Sequence, residues 1–205
     1  MVAVLRSSIK ETSIMNKTED LRVKKTKAAL HTAFFAMLSE NSLEDITIND
    51  LCEKANIRRA TFYKHFDDKL DFITYIIKDI RFSFDSEFTY DSDRPTLNEE
   101  YCIKYVESII DFMLKREAAI TKILNSSMRP VFIEIFMQQN YLDTLERLRN
   151  SIEDGLVLST SPEVVSSMIV GGVSINILRW YENRHTISSS DMINELSRII
   201  RAILR

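Results

Sequence analysis

Residues 47–69, TINDLCEKANIRRATFYKHFDDK, hold two short helical patterns separated by a tight turn. Thr47 with Asp50 three residues later is a capping pair, in which a hydroxyl and a carboxylate satisfy the free N–H groups of a helix start. The helix it opens places Ile48, Leu51, Cys52 and Ala55 on one face. It stops at Asn56, a residue that tolerates the left-handed backbone an interhelical turn requires. Ile57 re-enters the core, and Phe62 and Phe66 anchor the second pattern. With those turned inward, Arg58, Arg59, Thr61, Lys64 and the ring edge of Tyr63 face outward. Asp68 with Asp71 then opens a longer helix, so Asp67-Asp68 reads as a cap and not as an acid/base dyad. Capped helix, short turn, short basic and aromatic helix, longer capped helix: this succession is a helix-turn-helix.

The outward side chains suit a DNA groove. Arg bonds both acceptors on a guanine edge, and Thr61 offers a methyl to thymine and a hydroxyl to phosphate. Tyr63, Lys64, His65 and Lys69 suit the sugar-phosphate backbone, which positions the protein without specifying sequence.

Composition agrees with a helical chain. In 205 residues there are only 3 Gly and 3 Pro, too little punctuation for a many-stranded fold. The net charge of −3 conceals an asymmetry: through Arg81 there are 14 Lys and Arg against 12 Asp and Glu, and afterwards 13 against 18. Nucleic-acid binding responds to the local field, so the overall sign excludes nothing. Cys52 and Cys102 lie too far apart for a C-x-x-C metal or redox motif, and Cys52 reads as packing. No signal-peptide pattern is visible, and the uncharged run 164–178 is shorter than the ~18 residues of a membrane span, which predicts a cytoplasmic protein away from membranes. No G-x-S-x-G, H-E-x-x-H, P-loop or G-x-G-x-x-G occurs, and His31, His65 and His185 are scattered. Neither an enzyme nor a metal or cofactor site is expected.

The periodicity predicts an all-α chain of about nine helices, at 22–39, 47–54, 58–64, 68–85, 97–115, 118–125, 129–154, 162–183 and 189–204. Further start signals are Thr96 with Glu99, Ser161 before Pro162, and Ser188 with Asp191; Gly155 fits a helix C-terminus. The first helix begins on the basic run Arg22-Val-Lys-Lys-Thr-Lys27. Residues 1–19 read as a loose arm with Met15 as a candidate alternative start, 20–67 as the helix-turn-helix domain, and 68–205 as a helical body.

The segment resembles the DNA-binding domain of the TetR (tetracycline-repressor-like) family of bacterial transcription regulators. That family's pattern is Thr, a short helix ending in Ala-Gly-Val, a few variable residues, then Leu-Tyr-x-His-Phe-x-x-Lys. Here it stands as Thr47, Ala55-Asn56-Ile57, Phe62-Tyr63-Lys64-His65-Phe66 and Lys69. The likeness covers about residues 24–72. Asn56 replaces the usual turn glycine, and Arg58 sits where a small capping residue is common. The resemblance implies that Thr47, Tyr63, His65 and Lys69 hold phosphates, with Arg58, Arg59, Thr61 and Lys64 on or beside the base-reading surface.

It also implies a homodimer formed by the last two helices, a palindromic operator, and a repressor released by a small-molecule effector. The dimer surface is expected at Met168, Gly171, Gly172, Ile175, Leu196, Ile199, Ile200 and Ile203. Two glycines inside a helix are most easily understood where another backbone or a ligand approaches closely. An effector pocket is expected among Phe84, Tyr105, Phe112, Phe136 and Trp180, with the helix at 68–85 as the lever to the head. A different reading of the same residues is a helical adaptor whose helix-turn-helix no longer binds DNA.

Overall fold

The computed structural model describes residues 21–88, 95–183 and 186–204. The expected arm, Met15 and His185 lie outside the described residues. Among those described there are nine helices and no strand: α1 Leu21–Leu38, α2 Ile48–Lys54, α3 Arg59–Phe62, α4 Lys69–Phe88, α5 Glu99–Lys115, α6 Glu117–Leu124, α7 Arg129–Glu153, α8 Pro162–Glu182 and α9 Ser189–Ile203. The all-α expectation holds.

Most of the anticipated caps are formed. Thr47 and Asp50 make a reciprocal capping box on α2. Asp68 accepts the Asp71 N–H at 2.8 Å, and the Asp71 carboxylate reaches back to the Asp67 N–H. Ser161 and Ser188 cap α8 and α9. One expectation is corrected: α5 is capped by Asn98, which accepts the Tyr101 N–H, and not by Thr96. Leu97 is the cause. It is drawn into the core, and its N–H and carbonyl are both engaged by the Ser151 hydroxyl, at 2.8 and 2.9 Å. That pairing keeps the chain non-helical until Asn98. After α7, Gly155 takes φ 105, and bonds from Gly155 N to Ile152 O and from Leu156 N to Ser151 O close the helix end.

The head consists of α1, α2, α3 and the first turns of α4. Phe72 on α4 is its hub, edge-on to Phe34 at 5.4 Å and within 5.7 Å of Phe62 and 5.2 Å of Phe66. In the body, α7 packs on α8, α9 packs on both α5 and α8, and α4 packs on α5 and α7. The α1 helix also rests on α6. There the Arg116 guanidinium lies 4.3 Å from the Phe112 ring and 5.4 Å from that of Phe35, while Glu44 accepts the Ser127 N–H at 3.2 Å. Head and body therefore meet both through α4 and across this second seam.

By length and composition α8 alone among the described helices is apolar enough to cross a bilayer, although its longest uncharged run was expected to be too short. Its buried residues Val165, Ser166, Ile169, Val170, Ser174 and Ile177 are covered within the chain.

Candidate nucleic-acid interface and effector cleft

The turn between α2 and α3 is built on Asn56, whose φ of 53 makes it the one non-glycine residue with positive φ among those described. Asn56 N bonds Glu53 O at 3.0 Å and Ile57 N bonds Cys52 O at 2.9 Å. This paired closure ends α2 and turns the chain within three residues. It returns Ile57 to the core, and Arg58 then takes the extended N-cap position of α3 with no side-chain cap bond. The cap lost by having Arg there is thus visible in the structure.

Only residues 59–62 are regular helix, shorter than the expected 58–64. Beyond Phe62 the backbone continues in helical-type turns, with Tyr63 N to Arg59 O and Phe66 N to Phe62 O both at 3.0 Å. Phe62 and Phe66 are buried, while Arg58, Arg59, Tyr63 and Lys64 are exposed and Thr61 and His65 half-buried. Tyr63 is braced edge-on against Phe62 at 5.5 Å. Its ring and hydroxyl in turn receive Arg59, with the guanidinium 5.8 Å from the ring centre and Nη2 donating to the hydroxyl at 3.4 Å.

Two residues expected to hold phosphates have other partners here. The Thr47 hydroxyl is committed to Asp50 at 2.6 Å. Lys69 donates to the carbonyls of Leu43 and Glu44, tying the α1–α2 loop to the start of α4. Burial pushes its ammonium below the usual lysine range, against the opposing pull of Glu44 and Asp45. Lys69 is first a brace of the head. On α1, Arg22, Lys24 and Lys25 are exposed, whereas Lys27 lies over the Tyr75 ring at 4.9 Å.

In the body, a small cleft of about 40 Å³ opens among α5, α7, α8 and α9. Of the five expected pocket residues, Tyr105 and Phe136 line it. Phe84, Phe112 and Trp180 do not. Phe84 packs edge-on to Tyr105 and Phe112 behind the wall, Phe112 faces Arg116, and Trp180 is buried with its indole N–H on the Ile187 carbonyl at 3.1 Å. The apolar wall comes from residues such as Val106, Ile109, Ile169 and Val173. Its polar edge is Tyr101, Asn140, Asp143 and Thr144. Asn140 accepts from the Tyr105 hydroxyl and donates to Phe136 O. Asp143 accepts from Arg147 Nε at 2.9 Å and pairs with Arg81 of α4 at 2.6 Å. Cys102 also lines the cleft, and burial pushes its thiol up to about 12, so it is a thiol and not a thiolate there.

The sequence reading missed this polar edge. Its signal was the stripe Asn140, Asp143, Arg147 and Ser151 at helical spacing along α7.

The expected dimer surface divides. Met168, Ile175 and Ile199 are 57%, 46% and 50% exposed, Gly172 is exposed, and Gly171 and Ile203 are half-buried. Leu196 and Ile200 are a correction. They are buried in their own chain because α9 lays that face on α5. A side-chain carbon added at Gly171 or Gly172 would meet nothing within 4 Å, so neither glycine is required by a contact inside the chain. Among the described residues no group of His, Cys, Asp and Glu side chains is placed to hold a metal ion.

Solved structures share this architecture. A TetR-family transcriptional regulator from Syntrophomonas wolfei superposes with a TM-score of 0.64, covering 88% of this chain and 95% of the other at 15% identity. The chain has the TetR-family fold. The fatty acid degradation regulator FadR of Bacillus halodurans gives a TM-score of 0.61 over 87% of this chain and 99% of its own, at 13% identity. Bacillus subtilis FadR, solved in complex with stearoyl-CoA, gives 0.59 over 84% and 96%, at 16% identity. In sequence, the HTH-type transcriptional regulator YxbF of Bacillus subtilis, itself uncharacterized, is 43% identical over 63 residues. That stretch is 30% of this chain and only 17% of the relative's length. No family model matches the chain.

Proposed function

We propose that this TetR-fold chain is a cytoplasmic DNA-binding transcriptional regulator, a repressor that binds a palindromic operator as a homodimer and is released by a small-molecule effector. The observation that carries the reading is the exposed surface formed by α3 and the residues flanking it. Arg58, Arg59, Tyr63 and Lys64 stand exposed beside one another, on a turn whose geometry is fixed by Asn56 and on anchors that are fully inside. Residues at the start of such a helix reach base edges in the major groove, and those after it reach phosphates. Thr61 and His65 complete that surface. Thr47 and Lys69 contribute to it chiefly by holding the head rigid.

The pairing surface is the apolar row of exposed Val164, Met168, Gly172 and Ile175 with half-buried Gly171 on α8, joined by Ile199 on α9. A contiguous apolar row on a surface marks an association site. The two glycines let a second backbone come close, in keeping with the open space above them. Two-fold pairing would set two recognition helices roughly 34–36 Å apart, one turn of DNA. The effector site is the cleft at Tyr105, Phe136, Asn140 and Asp143. That a regulator of the same fold was solved in complex with stearoyl-CoA supports a small-molecule ligand for this chain as well.

Selecting bound sites from a random duplex library tests the reading. The expected result is a two-fold symmetric motif with half-sites about ten base pairs apart, bound with a steep salt dependence from counterion release. Negligible, salt-independent binding to every duplex would instead favour the adaptor reading.

A further inference from the structure

The side chains lining the body cleft divide into polar groups that already have partners and two that have none. The Tyr101 hydroxyl donates to Asp143 at 3.4 Å, and that of Tyr105 donates to Asn140. The Asn140 amide in turn donates to Phe136 O at 2.8 Å. The Asp143 carboxylate also accepts from Arg147 Nε at 2.9 Å and pairs with Arg81 at 2.6 Å. Thr144 on α7 and Ser174 on α8 differ. Both line the cleft, and among the described residues neither hydroxyl has a hydrogen-bond partner. Ser174 is 8% exposed, so its hydroxyl has lost most of its water without gaining a substitute. Such a group carries its full desolvation cost until something bonds it.

We propose that the cleft, read as the effector site, takes a compact uncharged molecule with one hydrogen-bonding head. Ser174 and Thr144 hold the head, a hydroxyl, carbonyl or amide, and the hydrocarbon body lies on Val106, Ile109, Ile169 and Val173. This assignment of ligand class rests on the effector reading of the cleft.

Charge and size both select the class. Among the described residues lining the cleft, Asp143 is the only one of a charged type, and burial keeps the Cys102 thiol neutral. An organic cation would have to displace a guanidinium to reach the Asp143 oxygens. An anion would meet that carboxylate and no cationic side chain in the lining, since Arg147 is set against the Tyr101 ring, 4.2 Å from its centre. Either charge would leave water without a counter-ion waiting for it, which costs far more than burying a neutral head. A hydroxyl both donates and accepts, so Ser174 and Thr144 suit an alcohol, a carbonyl or an amide. The cleft's volume of about 40 Å³ is room for about three waters, which limits a ligand to a handful of non-hydrogen atoms.

Ser166 supplies the control. It lies on the same helix, fully buried, with an Oγ that is also unpartnered, but it is not part of the cleft lining.

The test uses four probes with one branched hydrocarbon body and different heads: isoamyl alcohol, isovaleramide, isovalerate and isoamylammonium. Each is titrated at neutral pH into the free full-length chain by calorimetry, with melting temperature as a second readout. The alcohol and the amide are expected to bind and raise the melting temperature, and the two ions to bind at least about tenfold more weakly. Ser174→Ala and Thr144→Val should each weaken the alcohol about fivefold or more while melting no lower than wild type, because each removes a hydroxyl that the free protein leaves unbonded. Ser166→Ala should also melt no lower, yet bind the alcohol like wild type. A merely structural role for Ser174 would move stability and leave affinity alone. The proposal is overturned if an ion binds best, if none of the four binds, or if Ser174→Ala and Thr144→Val keep full affinity for the alcohol. The regulator reading fails separately. Neutral probes that bind as expected, with no effect on affinity for the selected duplexes, would remove the effector role and leave the ligand class standing.

Discussion

Arg58 stands at a conflict between fold and function. It occupies the N-cap of α3 in extended conformation, where a short hydroxyl or carboxylate side chain would accept a free helix N–H, and it makes no such bond. In exchange, the head presents two adjacent guanidinium groups to solvent. Arg58→Ser is therefore expected to raise stability by about 1 kcal/mol in urea unfolding while weakening DNA binding. A variant that binds DNA unchanged would remove Arg58 from the interface. Arg59 is better held. Its fork leans on Tyr63, which is braced by buried Phe62, so less side-chain freedom is lost when it meets a base edge. Arg59→Ala should cost about 1–3 kcal/mol on the preferred site and relax its specificity. Equal losses on specific and random duplexes would assign it to the phosphates instead.

At the level of elements, the head was legible because its signals are local. Caps, the Asn56 turn and the inward phenylalanines each depend on residues within four positions of one another, so periodicity and turn chemistry sufficed. Asn98 and the cleft were not legible, because distant partners decide them. Ser151 draws Leu97 inward, and the polar row along α7 looks like a solvated face until Arg81, Tyr101 and Tyr105 arrive from α4 and α5. The seam between α1 and the body is non-local in the same way. It half-buries His31 against Phe35, 5.0 Å between ring centres, and burial holds the imidazole below its ordinary value of 6.5, with Asp79 raising it and Arg116 lowering it. The sign follows directly. With the folded value below the unfolded one, the unfolded chain binds more protons just below pH 6.5, so stability falls as pH falls through that range. Melting curves recorded from about pH 8 down to pH 5 should show this loss, and His31→Gln should flatten it. An unchanged slope in the variant would place the acid sensitivity elsewhere.

For the whole molecule, the question is which apolar surface the chain keeps for itself. The α9 stripe is apolar on more than one side, and a single sequence cannot say which side its own body takes. Packing on α5 consumes Leu196 and Ile200 and leaves Ile199 at the surface. On α8 the division runs along one helical face, with Val164, Met168, Gly172 and Ile175 outside and Val165, Ile169 and Ile177 inside. If the outer row is the pairing surface, charging it should separate association from folding, because these side chains contribute little to the interior of one chain. Met168→Glu with Ile175→Glu is expected to remain helical by circular dichroism and to melt as a folded protein, yet to scatter light as a monomer at micromolar concentration. Binding to a two-half-site duplex should collapse, while the weak affinity for a single half-site persists, because the lost energy belongs to the second, tethered contact and not to the recognition helix. A charged variant that stays dimeric would move the interface away from α8. A wild-type chain that is already monomeric would leave the exposed α8 row without a partner copy and remove the reason for two-fold symmetry in the operator.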